Sequence, residues 1–278
     1  MEVILGIDVG GSTTKIVGYQ RDGLYIGARQ VTATDQITSL YGAVGNLLSG
    51  KGIPLKDVSK IIVTGVGAHL IHGDIYDIPT QKVQEFQAIG IGGLALTGKE
   101  EALVVSMGTG TAYVRATREK ISHIGGSGVG GGTLLGLSEK LIGERGFDQI
   151  HSLAQQGNLN NIDLAIQDIF EGDVQTLPPD LTASNFGKVR SSATNADLTL
   201  GLINMVLQTI GMLAIFACRN DTIKDVVLTG TLTTMPQTKQ VFESLQTLHN
   251  INFIVPEQAV FATAIGAAIP HVNIPLKI

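Results

Sequence analysis

A single cysteine, Cys218, stands among 278 residues. That scarcity excludes a disulfide framework and any multi-cysteine zinc or iron–sulfur site built within one chain, and it points to a reducing, cytoplasmic compartment. In the run Ala214-Ile215-Phe216-Ala217-Cys218 it reads as a small buried apolar residue. Positive charge is also scarce. With 19 Lys+Arg, a net charge of -5 and no basic tract, the chain lacks the concentrated cationic face that nucleic-acid binding needs, so no nucleic acid is expected as a partner. The amino terminus shows no basic n-region or cleavage site and enters a short apolar run that ends at Asp8, so secretion is not expected. The longest apolar segment, 198–218, is interrupted by Asn204, Gln208 and Thr209 and holds Gly201 and Gly211. That pattern predicts a buried helix and no membrane partner.

Hydrophobic residues and glycine are abundant. The 44% hydrophobic content is ample for the core of one large domain or two lobes, and the 35 glycines cluster at the ends of strand-like runs. Apolar runs at 3–7, 15–19 and 24–32 predict three strands joined by tight turns, followed by a helix over 37–49. A strand at 61–63 ends at Thr64-Gly65, and a helix is predicted over 83–96, closed by Thr97-Gly98-Lys99. At Ala102 the strand pattern restarts. Strand, Gly-rich turn and strand follow again, with Ser106 at the place of Asp8, which predicts a duplicated α/β chain whose two turns face each other across a cleft. Helices are expected near 132–142, 148–156, 162–170 and 200–218, and a third glycine turn at Leu228-Thr229-Gly230-Thr231-Leu232. The boundary is placed near residue 98, giving lobes at 1–98 and 99–278. A helix around 259–268 is expected to pack back on the first lobe.

Turns with paired glycines let backbone N–H groups point at an anion, and neighbouring hydroxyls add donors. Gly10-Gly11-Ser12-Thr13-Thr14 and Gly108-Thr109-Gly110-Thr111 are therefore candidate phosphate holders, with Lys15 as a mobile positive charge and Asp8 as an oxygen ligand for Mg²⁺. The alternative for any one such turn is a plain hairpin that needs positive φ. The glycine-dense segment 125–133 runs into a predicted helix start, where unpaired N–H groups and the dipole favour phosphate. It is neither a Walker A loop nor a dinucleotide fingerprint.

These residues resemble the actin-like sugar-kinase superfamily, whose ribonuclease H-like fold has two lobes around a nucleotide cleft. Within it the chain is similar to the type II pantothenate kinases: "GIDVGGSTTKIV", "EFQAIGIGG", "SMGTGTAY", "GGSGVGGGTLLGL", "DLTASNFG" and the late "AIGAA" carry the likeness over nearly the whole chain. The resemblance implies an ATP- and Mg²⁺-dependent kinase that phosphorylates pantothenate, the first step of coenzyme A synthesis. Glu85 would be the general base, a role that suits a carboxylate facing an attacking alcohol, although an acid in the first turn of a helix also has a plain dipole reading. Nucleotide contacts would fall on Gly10 to Lys15, Thr109, Gly131, Gly132, Thr133, Phe147 and Thr231, with Phe147 either stacked on adenine or a core aromatic. Acceptor contacts would involve Thr109, Thr111, His123, Thr182 and Ala183. A homodimer is implied, built largely from second-lobe helices.

Two positions depart from the family pattern: His123 stands where an arginine is usual, and Ala112 where a serine is usual. A histidine lacks the bidentate fork that grips a carboxylate, and it has a plain surface reading too. Other acceptors, pantetheine or a sugar, and a regulatory actin-like ATPase are the alternatives. The related activator ATPases of radical dehydratases share the opening motif, but Cys218 on an apolar helix is a poor iron–sulfur ligand.

Overall fold

In the computed structural model, residues 2–32, 35–170, 177–219 and 221–273 are described. The chain opens with β1 (Val3–Val9), β2 (Thr14–Gln20) and β3 (Tyr25–Val31), an antiparallel meander. Next comes α1 (Gln36–Lys51), capped by the Asp35 carboxylate, which accepts from the Thr38 N–H, and ended by Gly52 at φ 65°. β4 (Val58–Thr64) lies parallel to β1, β5 (Thr80–Lys82) parallel to β4, and α2 (Glu85–Thr97) closes this half at Gly98, φ 67°. Every residue of β1 is buried, as befits a strand covered on both faces.

The second half repeats the plan. β6 (Glu101–Met107), β7 (Thr111–Thr117) and β8 (Ile121–Ser127) form a second meander, followed by α3 (Gly131–Ile142), α4 (Phe147–Ala154), a short pair β9 (Leu164–Ala165) and β10 (Thr182–Ser184), and α5 (Asn195–Cys218). Then β11 (Asp225–Thr229) joins beside β6, α6 (Pro236–His249) follows, β12 (Asn252–Ile254) joins beside β11, and α7 (Ala262–Ala268) ends the regular structure. The sheet orders are β3-β2-β1-β4-β5 and β12-β11-β6-β7-β8, the same arrangement with the same strand senses. The duplicated two-lobed α/β reading holds.

Each sheet is covered on both faces. One face of the first sheet buries Leu5, Ile7 and Ile16 against Leu40, Val44 and Leu47 of α1, and the other buries Ile4, Val17 and Ile62 against Ala264 and Ala268 of α7. The second sheet buries Leu103, Val105 and Tyr113 under α3, α4, α5 and α6, and Val104 and Val114 under α2. Helices α2 and α7 thus meet between the sheets, and the late helix does return to the first half. They meet backbone to backbone. A Cβ on Gly92 would lie 1.9 Å from the Ala262 carbonyl oxygen, and one on Gly266 would lie 1.9 Å from that of Ala88.

Two expectations need correction. The stretch 162–170 is not an α-helix: it is β9 followed by a 3-10 turn, Ile166–Asp168. Asp163 accepts from the distant Phe186 N–H and ties the stretch to the segment after β10, while Asp168 caps the 3-10 turn by accepting from the Ala165 N–H, both at 2.9 Å. The segment 125–133 is not one glycine loop either, since Gly125 and Gly126 belong to β8. Cys218 lies in the core as expected, and burial pushes its thiol up to about 11.

Candidate active site

The glycine turns stand at the carboxyl ends of β1, β6 and β11. The first closes with the Gly10 N–H donating to the Thr13 carbonyl at 3.0 Å. The second meets it across the molecule, where the hydroxyls of Ser12 and Thr109 lie 3.2 Å apart. The third turns at Gly230, φ 91°, where a Cβ would sit 2.5 Å from the Met107 carbonyl oxygen. Only glycine permits that approach.

The start of α3 is fastened to the second turn. Gly131 and Gly132 donate their N–H groups to the carbonyls of Gly108 and Thr109, each at 2.8 Å. A Cβ on Gly130 would lie 2.7 Å from the Thr109 oxygen, and one on Gly132 would lie 2.8 Å from the Thr109 methyl carbon. The triple glycine is therefore required for backbone contact. This corrects the expectation of unpaired amides at this helix start. Hydroxyls complete the junction: Thr133 donates to the Gly128 carbonyl and Thr111 to the Val129 carbonyl, both at 2.8 Å. The Phe147 ring packs on the second core, in keeping with its core reading, and comes 3.3 Å from the Cβ position of Gly131 beside the turns. Leu232, next to Thr231, approaches the same position.

Charge gathers on the other side. Asp8 pairs in register with Lys15 on β2 and with Thr64 on β4, and all three point to the face that carries Ile4, Val17 and Ile62. Asp8 and Lys15 are buried, and Gly65 (φ 89°) lets the backbone pass so closely that a Cβ would fall 2.5 Å from Asp8 Oδ1. Burial pushes the Asp8 carboxyl above its usual range, and Lys15 partly offsets that. Glu85, half-buried at the first position of α2, is held up by desolvation first and by the Asp8 charge second, with Lys15 opposing. Two acids and a lysine thus stand together beside the paired turns, Asp8 and Lys15 buried and Glu85 half-buried.

Next to Glu85, the Phe86 ring stacks on the His123 imidazole, with centroids 3.8 Å apart and planes 8° apart. His123 is exposed on β8, and Ala112 faces Gly126 one strand away. Thr182 and Ala183 lie elsewhere, on β10. The Thr182 hydroxyl donates to Asp163 at 3.4 Å, and Asn204 reaches both Asp163 (2.8 Å) and Thr182 (3.3 Å). Asp163, buried, also accepts from Asn185 and so pins the 182–186 segment to α5. Sequence reasoning missed it, because a lone acid in a polar stretch carries no signal. It also missed Phe86 and Thr64, although Thr-Gly recurs at the end of β4 and of β11. Among the described residues, no group of three or more His, Cys, Asp or Glu gathers to hold a metal ion.

The Fumble family model matches residues 101–253. A type II pantothenate kinase of Oceanobacillus iheyensis is 28% identical over 272 residues, covering 95% of this chain and 97% of that protein. One of Staphylococcus aureus is 28% identical over 274 residues with the same coverage. Among solved structures, the activator of 2-hydroxyisocaproyl-CoA dehydratase from Clostridium difficile, with bound ADPNP, aligns with a TM-score of 0.68 at 15% identity, covering 97% of this chain and 94% of that one. That likeness establishes a shared fold.

Proposed function

The chain belongs to the Fumble family, and from that membership and the site geometry we propose that it transfers the γ-phosphoryl group of ATP to the primary alcohol of pantothenate. The observation that carries the chemistry is the position of Glu85, a carboxylate withdrawn from water beside Asp8 and Lys15, where two glycine turns meet. Phosphoryl transfer needs little covalent help from a protein. It needs the acceptor hydroxyl in line, the charge on the phosphates balanced, and a base for the hydroxyl proton.

Each requirement has a candidate. The turns at Gly10 to Thr14 and Gly108 to Gly110 hold the triphosphate, Lys15 faces its charge, and Phe147 and Thr231 flank the adenosine beyond α3. Glu85 takes the proton as the acceptor oxygen attacks, and a carboxyl raised above its usual range is the better base near neutral pH. The Phe86–His123 stack forms the wall beside that acid, with the imidazole edge available to the pantothenate carboxylate. Mg²⁺ fits Asp8, an acid drawn out of water beside a buried Thr64 hydroxyl that has no hydrogen-bond partner among the described residues. When bound, the ion would neutralise charge on the phosphate oxygens.

The protein is proposed to work as a homodimer in the cytoplasm. One helix, α5, is long and apolar enough to cross a membrane by length and composition, but 56% of its most apolar window is buried inside the fold, which supports a core role. The test is ADP release from Mg-ATP with pantothenate, pantetheine and a set of sugars. Turnover is expected on pantothenate, and Glu85→Gln should reduce it by about 10²–10⁴-fold. Turnover on a sugar alone would overturn the acceptor, and wild-type activity in Glu85→Gln would overturn the base.

A further inference from the structure

The two halves can be compared position by position. Asp8 is in register with Lys15 and Thr64, and Ser106 is in register with Ala112 and Thr229. Gly65 follows Thr64 with φ 89° and ψ 168°, and Gly230 follows Thr229 with φ 91° and ψ 179°. Each glycine leads into a 3-10 turn. Thr64 and Thr229 are thus equivalent residues on equivalent strands, both buried. Their hydroxyls behave differently. Thr229 donates to the Val105 carbonyl at 3.3 Å, whereas Thr64 has no partner among the described residues, although the Ile7 carbonyl stands at the corresponding place.

A buried hydroxyl without a partner is disfavoured and rare. Ser138 is the only other such hydroxyl among the described residues, and of the two only Thr64 adjoins the acid site. On one face of the sheet it stands beside Asp8, two strands from Lys15, in the half that kept its charges. Its counterpart, in the half where Ser106 and Ala112 replace them, is tied to the backbone.

We propose that Thr64 is a positioning residue of the phosphoryl-transfer site: its hydroxyl hydrogen-bonds a water shared with the Asp8 carboxylate, a water that belongs to the hydration shell of the divalent cation. The water orients the acid, whose own surroundings are too dry to do so. This rests on the phosphotransfer reading above. Thr64 touches neither reacting group, so it acts through Asp8.

Three variants test it: Thr64→Val, the same shape without the hydroxyl; Thr64→Ser, which restores it; and Thr229→Val, the mirror change. With Thr64→Val, kcat should fall about tenfold at unchanged KM for the acceptor, the half-saturating Mg²⁺ concentration should rise severalfold, and Tm of the metal-free protein should increase by about 2–4 °C because a hydroxyl left without a partner there has gone. Thr64→Ser should recover most of kcat. Thr229→Val should lower Tm, since it loses a bond, and leave kcat within about twofold. Wild-type kcat and metal requirement in Thr64→Val would overturn the inference. Mn²⁺ binding to the protein loaded with a non-hydrolysable ATP analogue, followed by electron paramagnetic resonance, separates it from the phosphotransfer reading. Weaker Mn²⁺ binding in Thr64→Val supports the inference even if no alcohol is turned over, and equal binding overturns it.

Discussion

Glu85 owes its proposed role to where its charge is held. Burial and the Asp8 carboxylate both raise its proton affinity, while Lys15 lowers it, and the net direction is upward from 4.5. Catalysis by the ionised form should therefore give kcat/KM an acid limb above the usual glutamate range. Replacing Asp8 by Asn removes a repelling charge and should move the Glu85 titration to lower pH. Replacing Lys15 by Met should move it higher. Both shifts are readable by ¹³C NMR of labelled glutamate, whatever becomes of turnover. The same shift bears on stability. A carboxyl whose folded pKa exceeds its unfolded one stabilises the fold below the unfolded value, and that contribution is lost as pH rises through the folded value. Glu85→Gln should then be more heat-stable than the parent at neutral pH, with the difference shrinking as pH falls towards 4.5. A Tm difference that does not change with pH would show that the acid is not strained.

At the scale of elements, glycine decides how closely backbones approach. In the crossing of α2 and α7, Gly92→Ala would force a methyl to 1.9 Å from a carbonyl oxygen with no flexible side chain to yield. A loss of about 3 kcal/mol or more is expected, measured by thermal or urea unfolding. Gly45 of α1, exposed and with nothing within 4 Å of a Cβ position, should behave oppositely, with Gly45→Ala adding about 0.5–1 kcal/mol. The contrast also shows what a sequence can and cannot disclose. Strands such as Val3–Val9 and Glu101–Met107, the turns that end them and the restart at Ala102 were legible because apolar runs and glycine pairs are local signals. The misreading of 162–170 came from Asp163, whose carboxylate binds the Phe186 N–H that only the tertiary fold brings near, while Asp168 caps a local 3-10 turn through the Ala165 N–H. The Gly130-Gly131-Gly132 run stands out in the sequence, but its backbone partners do not. It reads as a phosphate cradle, yet the Gly131 and Gly132 amides donate to the Gly108 and Thr109 carbonyls and that of Gly130 to the Thr133 hydroxyl. Asp8, Lys15 and Glu85 could be named from sequence, but the burial that raises both acids could not.

Over the whole molecule, a duplicated plan has been used unequally. The reciprocal contacts of Gly92 with Ala262 and of Gly266 with Ala88 make the two interlobe helices equivalent, with Ala259 as the counterpart of Glu85 in the repeat. Together with Ser106 for Asp8 and Ala112 for Lys15, this leaves the two acids and the lysine of the site in the first half, while the second supplies the facing glycine turn, the His123 ring and α5. That helix explains how the second half could be used for assembly. Its most apolar stretch has a mean hydropathy of 1.9, and apart from the partly buried Gln208 and Thr209 its outer side is apolar: Phe216 is 52% and Leu213 is 38% exposed, in line with the partly buried Met205 and Met212 at helical spacing. The Arg219 guanidinium, 5.1 Å from the Phe216 ring, covers only its end. An apolar stripe of this kind on a soluble fold is stable in water when it is paired, and a second copy presents the same stripe. Sedimentation velocity should find a dimer. Phe216→Glu should convert it to monomer with unchanged circular dichroism, because the side chain supports no core contact of its own half. A Phe216→Glu protein that remains dimeric would place the interface on another face and leave the stripe unexplained.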